Sequence, residues 1–261
     1  MNSRIVAIIQ ARMGSSRLPG KVLMEICGKP IIAHLCERIQ SSQLLTEIVI
    51  ATTTEIADDA IAKFCSGNNI HCFRGSQYDV LDRYYRAAMI YDADVIVRLT
   101  ADCPLLDGEL VDSVVQAFLD QKVDFAANRL PPPWKRTFPI GLDIEIASFA
   151  ALEEAWNKAD QVFEREHVMP YLYNQPGRFK TLLLQNERDY GTRRWTVDTP
   201  QDLELMDTIF THFKPRTDFS WKEVLSFLDN NPEIEQLNKN IQHKSMQETD
   251  ERNQSAQADI V

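Results

Sequence analysis

The chain has 261 residues, is 44% hydrophobic and carries a formal net charge of -10 with 25% charged residues. These figures predict one large core or a core with a small appendage and argue against non-specific nucleic-acid binding through a positive surface; no apolar run approaches the roughly 18 residues of a membrane-spanning helix. The five cysteines, Cys27, Cys36, Cys65, Cys72 and Cys103, have no CxxC spacing, which predicts free buried thiols in a reducing cytoplasm rather than disulfides or zinc ligands.

The apolar run Ile5-Val6-Ala7-Ile8-Ile9 predicts a buried strand over 4–10. A strand this early leaves no room for a signal peptide. A polar loop follows, then a helix over 30–40, a strand over 47–52, a helix over 56–65, a strand over 70–73 and a helix over 80–91. The strand over 95–100 contains Val95-Ile96-Val97, which suits a sheet buried on both faces. Beyond it, helices are predicted over 109–121, 150–158, 166–173, 200–213 and 221–228, and strands over 123–128, 142–146, 179–184 and 194–197. Asp198-Thr199-Pro200-Gln201-Asp202 and Ser220-Trp221-Lys222-Glu223 carry helix-start chemistry. Strands separated by helices imply βαβ units and a largely parallel sheet. Residues 1–237 form one unit, and the polar stretch 238–261 has too little to bury and is expected to be a disordered tail. The segment Pro131-Pro132-Pro133-Trp134-Lys135-Arg136 reads as a connector or as a flap over an acidic substrate.

The loop after the first strand carries the chemistry. Residues 10–23 read Gln-Ala-Arg-Met-Gly-Ser-Ser-Arg-Leu-Pro-Gly-Lys-Val-Leu. They combine three cations (Arg12, Arg17, Lys21), two hydroxyls (Ser15, Ser16) and two glycines (Gly14, Gly20). Glycines allow a ligand to approach backbone N–H groups, and hydroxyls and cations partner phosphate oxygens. A polyphosphate needs all of these at once. The loop is not a Walker A motif, since five residues separate its glycines and Val22 follows Lys21; G-x-G-x-x-G is also absent. In a parallel sheet, ligands bind outside the C-terminal strand ends, where this loop lies.

Two acids complete the constellation. Asp102 follows the strand over 95–100, and Asp198 follows the strand over 194–197. Together they supply the one or two carboxylates that Mg²⁺ takes from a protein, with phosphates and waters filling its octahedron. The competing readings are a turn residue for Asp102 and a helix N-cap for Asp198.

The stretches QARMGSSRLPGKVL, RLTADCPLLD and WTVDTPQDLE resemble the cytidylyltransferases that activate acidic sugars, among them the acylneuraminate and 3-deoxy-manno-octulosonate enzymes. The likeness is strongest to the branch named for a spore-coat polysaccharide biosynthesis protein and runs from the N-terminus to about residue 230. It implies an α/β, Rossmann-like three-layer nucleotidyltransferase fold with a mostly parallel central sheet, CTP as donor, Mg²⁺ as cofactor and a small acidic acceptor. Nucleic acid and membrane are not expected as partners, and a homodimer is compatible with the resemblance. The catalytic residues it implies are Arg12, Lys21, Asp102 and Asp198, the last two as metal ligands. The implied nucleotide-binding set is Ala11, Arg12, Gly14, Ser15, Ser16, Arg17, Lys21, Arg74 and Thr100. One departure stands out: octulosonate enzymes carry Gln-Gly-Asp-Glu-Pro around the first metal aspartate, where this chain has Thr100-Ala101-Asp102-Cys103-Pro104. It leaves the acceptor open.

On the acceptor side, Asp143 and Glu145 stand two apart and would share one strand face, and His167 opens a predicted helix. Arg129, Lys135 and Arg136 are candidates for an acceptor carboxylate. Two other functions fit the same residues: a nucleotidyltransferase using another triphosphate on a sugar phosphate, and a non-catalytic nucleotide-binding scaffold.

Overall fold

The computed structural model describes residues 3–242. Its elements in chain order are β1 (Ile5–Gln10), β2 (Glu25–Ile26), β3 (Lys29–Pro30), α1 (Ile31–Ile39), β4 (Glu47–Thr53), α2 (Asp59–Gly67), β5 (His71–Gly75), α3 (Val80–Ile90), β6 (Val95–Thr100), α4 (Gly108–Gln121), β7 (Phe125–Ala127), β8 (Glu145–Ser148), α5 (Phe149–Lys158), α6 (Val162–His167), α7 (Pro170–Tyr173), β9 (Thr181–Leu183), α8 (Pro200–Phe213) and α9 (Trp221–Asn230). Seven strands form one sheet in the order β5-β4-β1-β6-β8-β7-β9, and β2 with β3 forms a separate hairpin. Only β8 runs against its neighbours; the other pairings in the large sheet are parallel.

Why residues 5–9 of β1 are all apolar is visible in the strand's period of two. Ile5, Ala7 and Ile9 enter one core with α1, α4, α8 and α9. Val6 and Ile8 enter a second core with α3 and α5 on the opposite face. With both faces covered, no position is left for a polar side chain. Helices on both sides of the sheet give the three-layer α/β arrangement that the sequence implies.

Boundaries depart from the sequence reading in three places that bear on function. The predicted helix over 166–173 is two short helices: α6 ends at His167, Val168 takes a left-handed φ of 72°, and Pro170 opens α7. His167 therefore closes a helix rather than opening one. The strand over 142–146 begins only at Glu145. Asn128 replaces the ladder before it, its amide donating to Leu142 O at 2.6 Å and accepting from Ile144 N at 2.9 Å. Asp143 thus precedes β8 and does not share a strand face with Glu145. Finally, 194–197 forms no strand but a single bridge, Ile140 to Arg194.

At the C-terminal side, Asn238 is buried and donates to Arg194 O and Asp202 Oδ1, both at 2.9 Å. The folded unit thus includes the first residue of the predicted tail, of which 243–261 lie outside the described residues. No helix among the described residues is long and apolar enough to cross a membrane.

Candidate active site

The strand order reverses between β1 and β6, and their C-terminal ends define a crevice. Ala101 N donates to Gln10 O at 3.0 Å and Ala11 N to Ala51 O at 3.2 Å, so the loops after β1, β4 and β6 leave the sheet side by side. The first of them closes on one carbonyl: Met13 O accepts from Ser15 N at 2.9 Å and from Gly20 N at 2.8 Å. Gly20 has φ 73°, a left-handed conformation that an L side chain enters at a cost of roughly 1–2 kcal/mol. It hands the chain to a short 3-10 turn that starts at Lys21. Met13 N donates at 2.7 Å to the buried Asp58, whose other oxygen accepts from Thr53 N and Thr53 Oγ1. One carboxylate thereby ties the basic loop to the end of β4.

The two predicted acids arrive on different segments that are bonded together. Asp102 O accepts from Val197 N at 2.9 Å and from Thr196 Oγ1 at 3.1 Å. On the other side Trp195 N donates to Ile140 O at 2.7 Å. Gly141, with φ 101°, makes this close approach possible, since a Cβ there would fall 2.5 Å from Trp195 C and O. Asp198 follows. It does not cap α8: Thr199 Oγ1 accepts from Asp202 N at 3.3 Å while Asp202 Oδ2 accepts from Thr199 N at 3.0 Å. That capping box leaves the Asp198 carboxylate for other partners.

Those partners are cations. The ammonium of Lys21, a residue only 8% exposed, donates to Asp102 Oδ2 at 2.6 Å, Asp198 Oδ1 at 2.7 Å and Val197 O at 2.9 Å. Asp198 Oδ2 lies 2.7 Å from an Arg17 nitrogen and 2.8 Å from an Arg194 nitrogen. Arg194 is itself held by Asp202 Oδ1 at 2.9 Å. Burial alone would raise the Asp198 carboxyl, but Lys21, Arg194 and Arg17 outweigh it and hold the group well below the usual carboxylate range. Burial likewise pulls against the Lys21 ammonium, yet Asp102 and Asp198 together keep it above its ordinary value. Asp198 and Lys21 are therefore both charged at neutral pH. Arg12 stands at the same edge; burial lowers its guanidinium while the charges of Glu166, Asp58 and Asp102 act in the opposite sense.

The remaining predicted residues divide. Ala11 is buried beneath the loop, Gly14 and Ser16 are exposed on it, and Ser15 Oγ accepts from Leu18 N at 3.3 Å. Thr100 Oγ1 lies 3.3 Å from Cys103 Sγ, behind Asp102. Arg74 does not join the Lys21 cluster: it donates to Thr53 O and Glu55 O and pairs with Asp59 at 2.6 Å, bracing the segment after β4. Asp143 is gripped by Arg136. Glu145 is buried and paired with Arg98, its register partner across β6 and β8. Burial lowers the His167 imidazole, with the charges of Glu166, Arg98, Glu145 and Arg129 also acting on it, so it is neutral at pH 7. Arg98, Glu145, Glu166 and Arg129 are thus the charged neighbours of His167, and Glu166 also acts on Arg12.

Sequence reasoning missed Asp58, Arg98, Arg194 and Cys103 as parts of this edge. Arg98 and Asp58 find Glu145 and Met13 N on distant segments, whereas Arg194 pairs with Asp198 and Asp202 four and eight residues on, a spacing that could have marked it. Asp202 carried a signal, as the acid three residues after Thr199.

The family model described as cytidylyltransferase matches residues 6–247. The chain belongs to the cytidylyltransferase family. It is therefore a nucleotidyltransferase. It is 32% identical over 244 residues to the spore coat polysaccharide biosynthesis protein SpsF of Bacillus subtilis, covering 88% of this chain and 95% of that one. It is 36% identical over 240 residues to a 3-deoxy-manno-octulosonate cytidylyltransferase of Syntrophobacter fumaroxidans, covering 78% and 95% of the two chains. Among solved structures, a cytidylyltransferase from Leptospira borgpetersenii serovar Hardjo-bovis superposes with a TM-score of 0.85 at 36% identity, covering 92% of this chain and all of the other. The chain thus spans nearly the whole length of each of these proteins.

Proposed function

We propose that this cytidylyltransferase is a Mg²⁺-dependent cytoplasmic enzyme that transfers CMP from CTP to an acidic sugar or a related acceptor in surface polysaccharide synthesis, releasing pyrophosphate. The observation that carries the reading is the convergence of Asp102 and Asp198 on the Lys21 ammonium, beside the basic loop and at the sheet's reversal point. The names of the Bacillus and Syntrophobacter relatives support the polysaccharide setting and the sugar-acid acceptor.

Arg12 and Arg17, with the Ser15 and Ser16 hydroxyls, would meet the β- and γ-phosphates that depart as pyrophosphate, while Lys21, whose three N–H groups go to Asp102, Asp198 and Val197 O, adds its positive charge beside them. Their charge lowers the cost of building negative charge on that leaving group. Positioning and charge stabilisation supply most of the rate in such transfers, so no covalent enzyme intermediate is needed. The donor set fits Mg²⁺. Two carboxylates stand together, and among the described residues no group of three His, Cys, Asp or Glu forms a ready-made cage. A hard ion that takes one or two protein carboxylates and completes its shell with phosphates and water suits such a site. Asp102 and Asp198 would hold it, and when bound it neutralises charge at the α-phosphate. The acceptor is received by the polar region of Arg129, His167, Glu145 and Arg98, adjacent to Arg12. A neutral His167 accepts a proton from an acceptor hydroxyl at pH 7, whereas an imidazolium would not.

The test is pyrophosphate release with CTP and Mg²⁺ against a panel of nonulosonic acids, octulosonic acids and phosphorylated metabolites. One acceptor that yields a CMP- or CDP-linked product with CTP, and far less with UTP, GTP or dTTP, is the expected result. Turnover with a sugar phosphate and another triphosphate, or nucleotide binding with no turnover across the panel, would overturn it.

A further inference from the structure

Behind Asp102 stands a thiol that the reaction scheme does not use. Cys103 is 3% exposed, and its sulfur lies among three oxygens: Thr100 Oγ1 at 3.3 Å, Asp102 Oδ1 at 3.5 Å and Thr196 Oγ1 at 4.0 Å. A thiol has one weak donor proton and a weakly accepting sulfur. The Thr196 hydroxyl donates to Asp102 O, and the Thr100 hydroxyl is placed to donate to the sulfur. The S–H proton then goes to the strongest acceptor in reach, Oδ1 of the Asp102 carboxylate. On the opposite oxygen, Oδ2, Lys21 Nζ donates at 2.6 Å. Each oxygen of Asp102 therefore has one protein donor, on opposite sides of the group, and together these fix the rotation of the carboxylate.

We infer that Cys103 is a positioning residue: by hydrogen bonding to Oδ1 it sets the plane of the Asp102 carboxylate for a divalent cation. The inference rests on the proposed role of Asp102 as a metal ligand. Sulfur suits the task because its donor is weak. A serine hydroxyl would make a stronger bond to the same oxygen and compete with the cation for it, whereas an alanine methyl would leave Oδ1 unrestrained. Partners that orient a metal ligand are part of a metal site in the same sense as the ligand itself.

Two measurements test this. The first is infrared. The difference spectrum of wild type minus Cys103→Ala isolates the S–H stretching band of this thiol from those of the other four cysteines. The band is expected to move to higher frequency in Asp102→Asn, where a neutral amide replaces the carboxylate. An unmoved band refutes the hydrogen bond, whether or not the enzyme turns over. The second is calorimetric titration of Mn²⁺ into the protein–CTP complex, with pyrophosphate release as a function of Mg²⁺ alongside. Cys103→Ala is expected to weaken Mn²⁺ binding by roughly tenfold, the low end for loss of a partner that orients a metal ligand. It should raise the half-saturating Mg²⁺ by a similar factor while leaving the KM for CTP at saturating Mg²⁺ unchanged. Cys103→Ser, which keeps a donor, is expected to lie between the two, and it decides the matter if the alanine variant does not fold. Unchanged Mn²⁺ affinity in the folded variants refutes the positioning role. If wild type binds no Mn²⁺ with CTP and releases no pyrophosphate, the proposed function fails, and the infrared band still judges the thiol contact separately.

Discussion

Replacing Lys21 by Met isolates the electrostatic centre of the site. In wild type one nitrogen lies 2.6 Å from Asp102 Oδ2 and 2.7 Å from Asp198 Oδ1, so these two oxygens are at most about 5.3 Å apart. With an effective dielectric of about 20, two like charges at that distance repel by about 3 kcal/mol. Met fills the volume of the stem but removes the charge between them. Arg17 and Arg194 remain on Asp198 and offset part of the loss, so the expected destabilisation is about 2–3 kcal/mol, at or below the usual cost of breaking a buried pair. The pH dependence carries a definite sign. Asp198 is held below the usual carboxylate range in wild type, so its contribution is fully present above the unfolded value of about 4 and is lost as pH falls through the folded value. Without Lys21 the folded value rises and that contribution shrinks. The gap between wild type and Lys21→Met is therefore widest at neutral pH and narrows on acidification. Urea midpoints for both proteins, measured from about pH 2 to 7 so that the range spans the acid side of the unfolded value, check this. Equal midpoints at neutral pH, or a gap that does not change with pH, would refute the proposed charge arrangement.

Asp102→Asn is expected to abolish pyrophosphate release while leaving far-ultraviolet circular dichroism and the melting transition near wild type; turnover at the wild-type rate excludes a metal role for this carboxylate. Asp58→Ala removes the acceptor of Met13 N, Thr53 N and Thr53 Oγ1, and should cost about 2–4 kcal/mol at roughly 1 kcal/mol per bond plus the donors left unpaired. Because it frees the basic loop, it should also raise the KM for CTP, and kinetics indistinguishable from wild type would show that the tether does not shape the loop. Gly141→Ala combines a left-handed backbone with a Cβ placed 2.5 Å from Trp195 C. Thermal denaturation should show a loss of about 3 kcal/mol or more, and a melting temperature unchanged from wild type would mean that the 194–198 segment is not packed on this glycine.

Much of the fold could be read from local pattern. A buried parallel strand such as β1 carries a near-continuous apolar run, and a basic loop with glycines and hydroxyls after it marks a phosphate-facing turn at a known sheet edge. The helix starts at Pro200 and Trp221 were legible because capping is local chemistry, confined to four residues. The boundary at Glu145 was not, since a distant side chain, Asn128, takes over the bonds that a strand would have made. Nor was the end of α6, where Val168 turns left-handed just ahead of Pro170.

For the site, the residue types and their spacing already named Lys21, Asp102 and Asp198 as charged groups of one crevice, although the strand expected ahead of Asp198 is only a single bridge. That Asp198 would serve the crevice and not its own helix was decided by its neighbour, because Thr199 and Asp202 satisfy the cap. That Asp143 and Glu145 would be held by Arg136 and Arg98, and Arg74 by Asp59 and two carbonyls, was beyond any local signal. A chain can specify which charges it carries from the chemistry of each residue, but which opposite charge each one meets depends on segments 81 and 177 residues apart, as with Lys21 and its two aspartates. Only folding brings those distances down to a hydrogen bond.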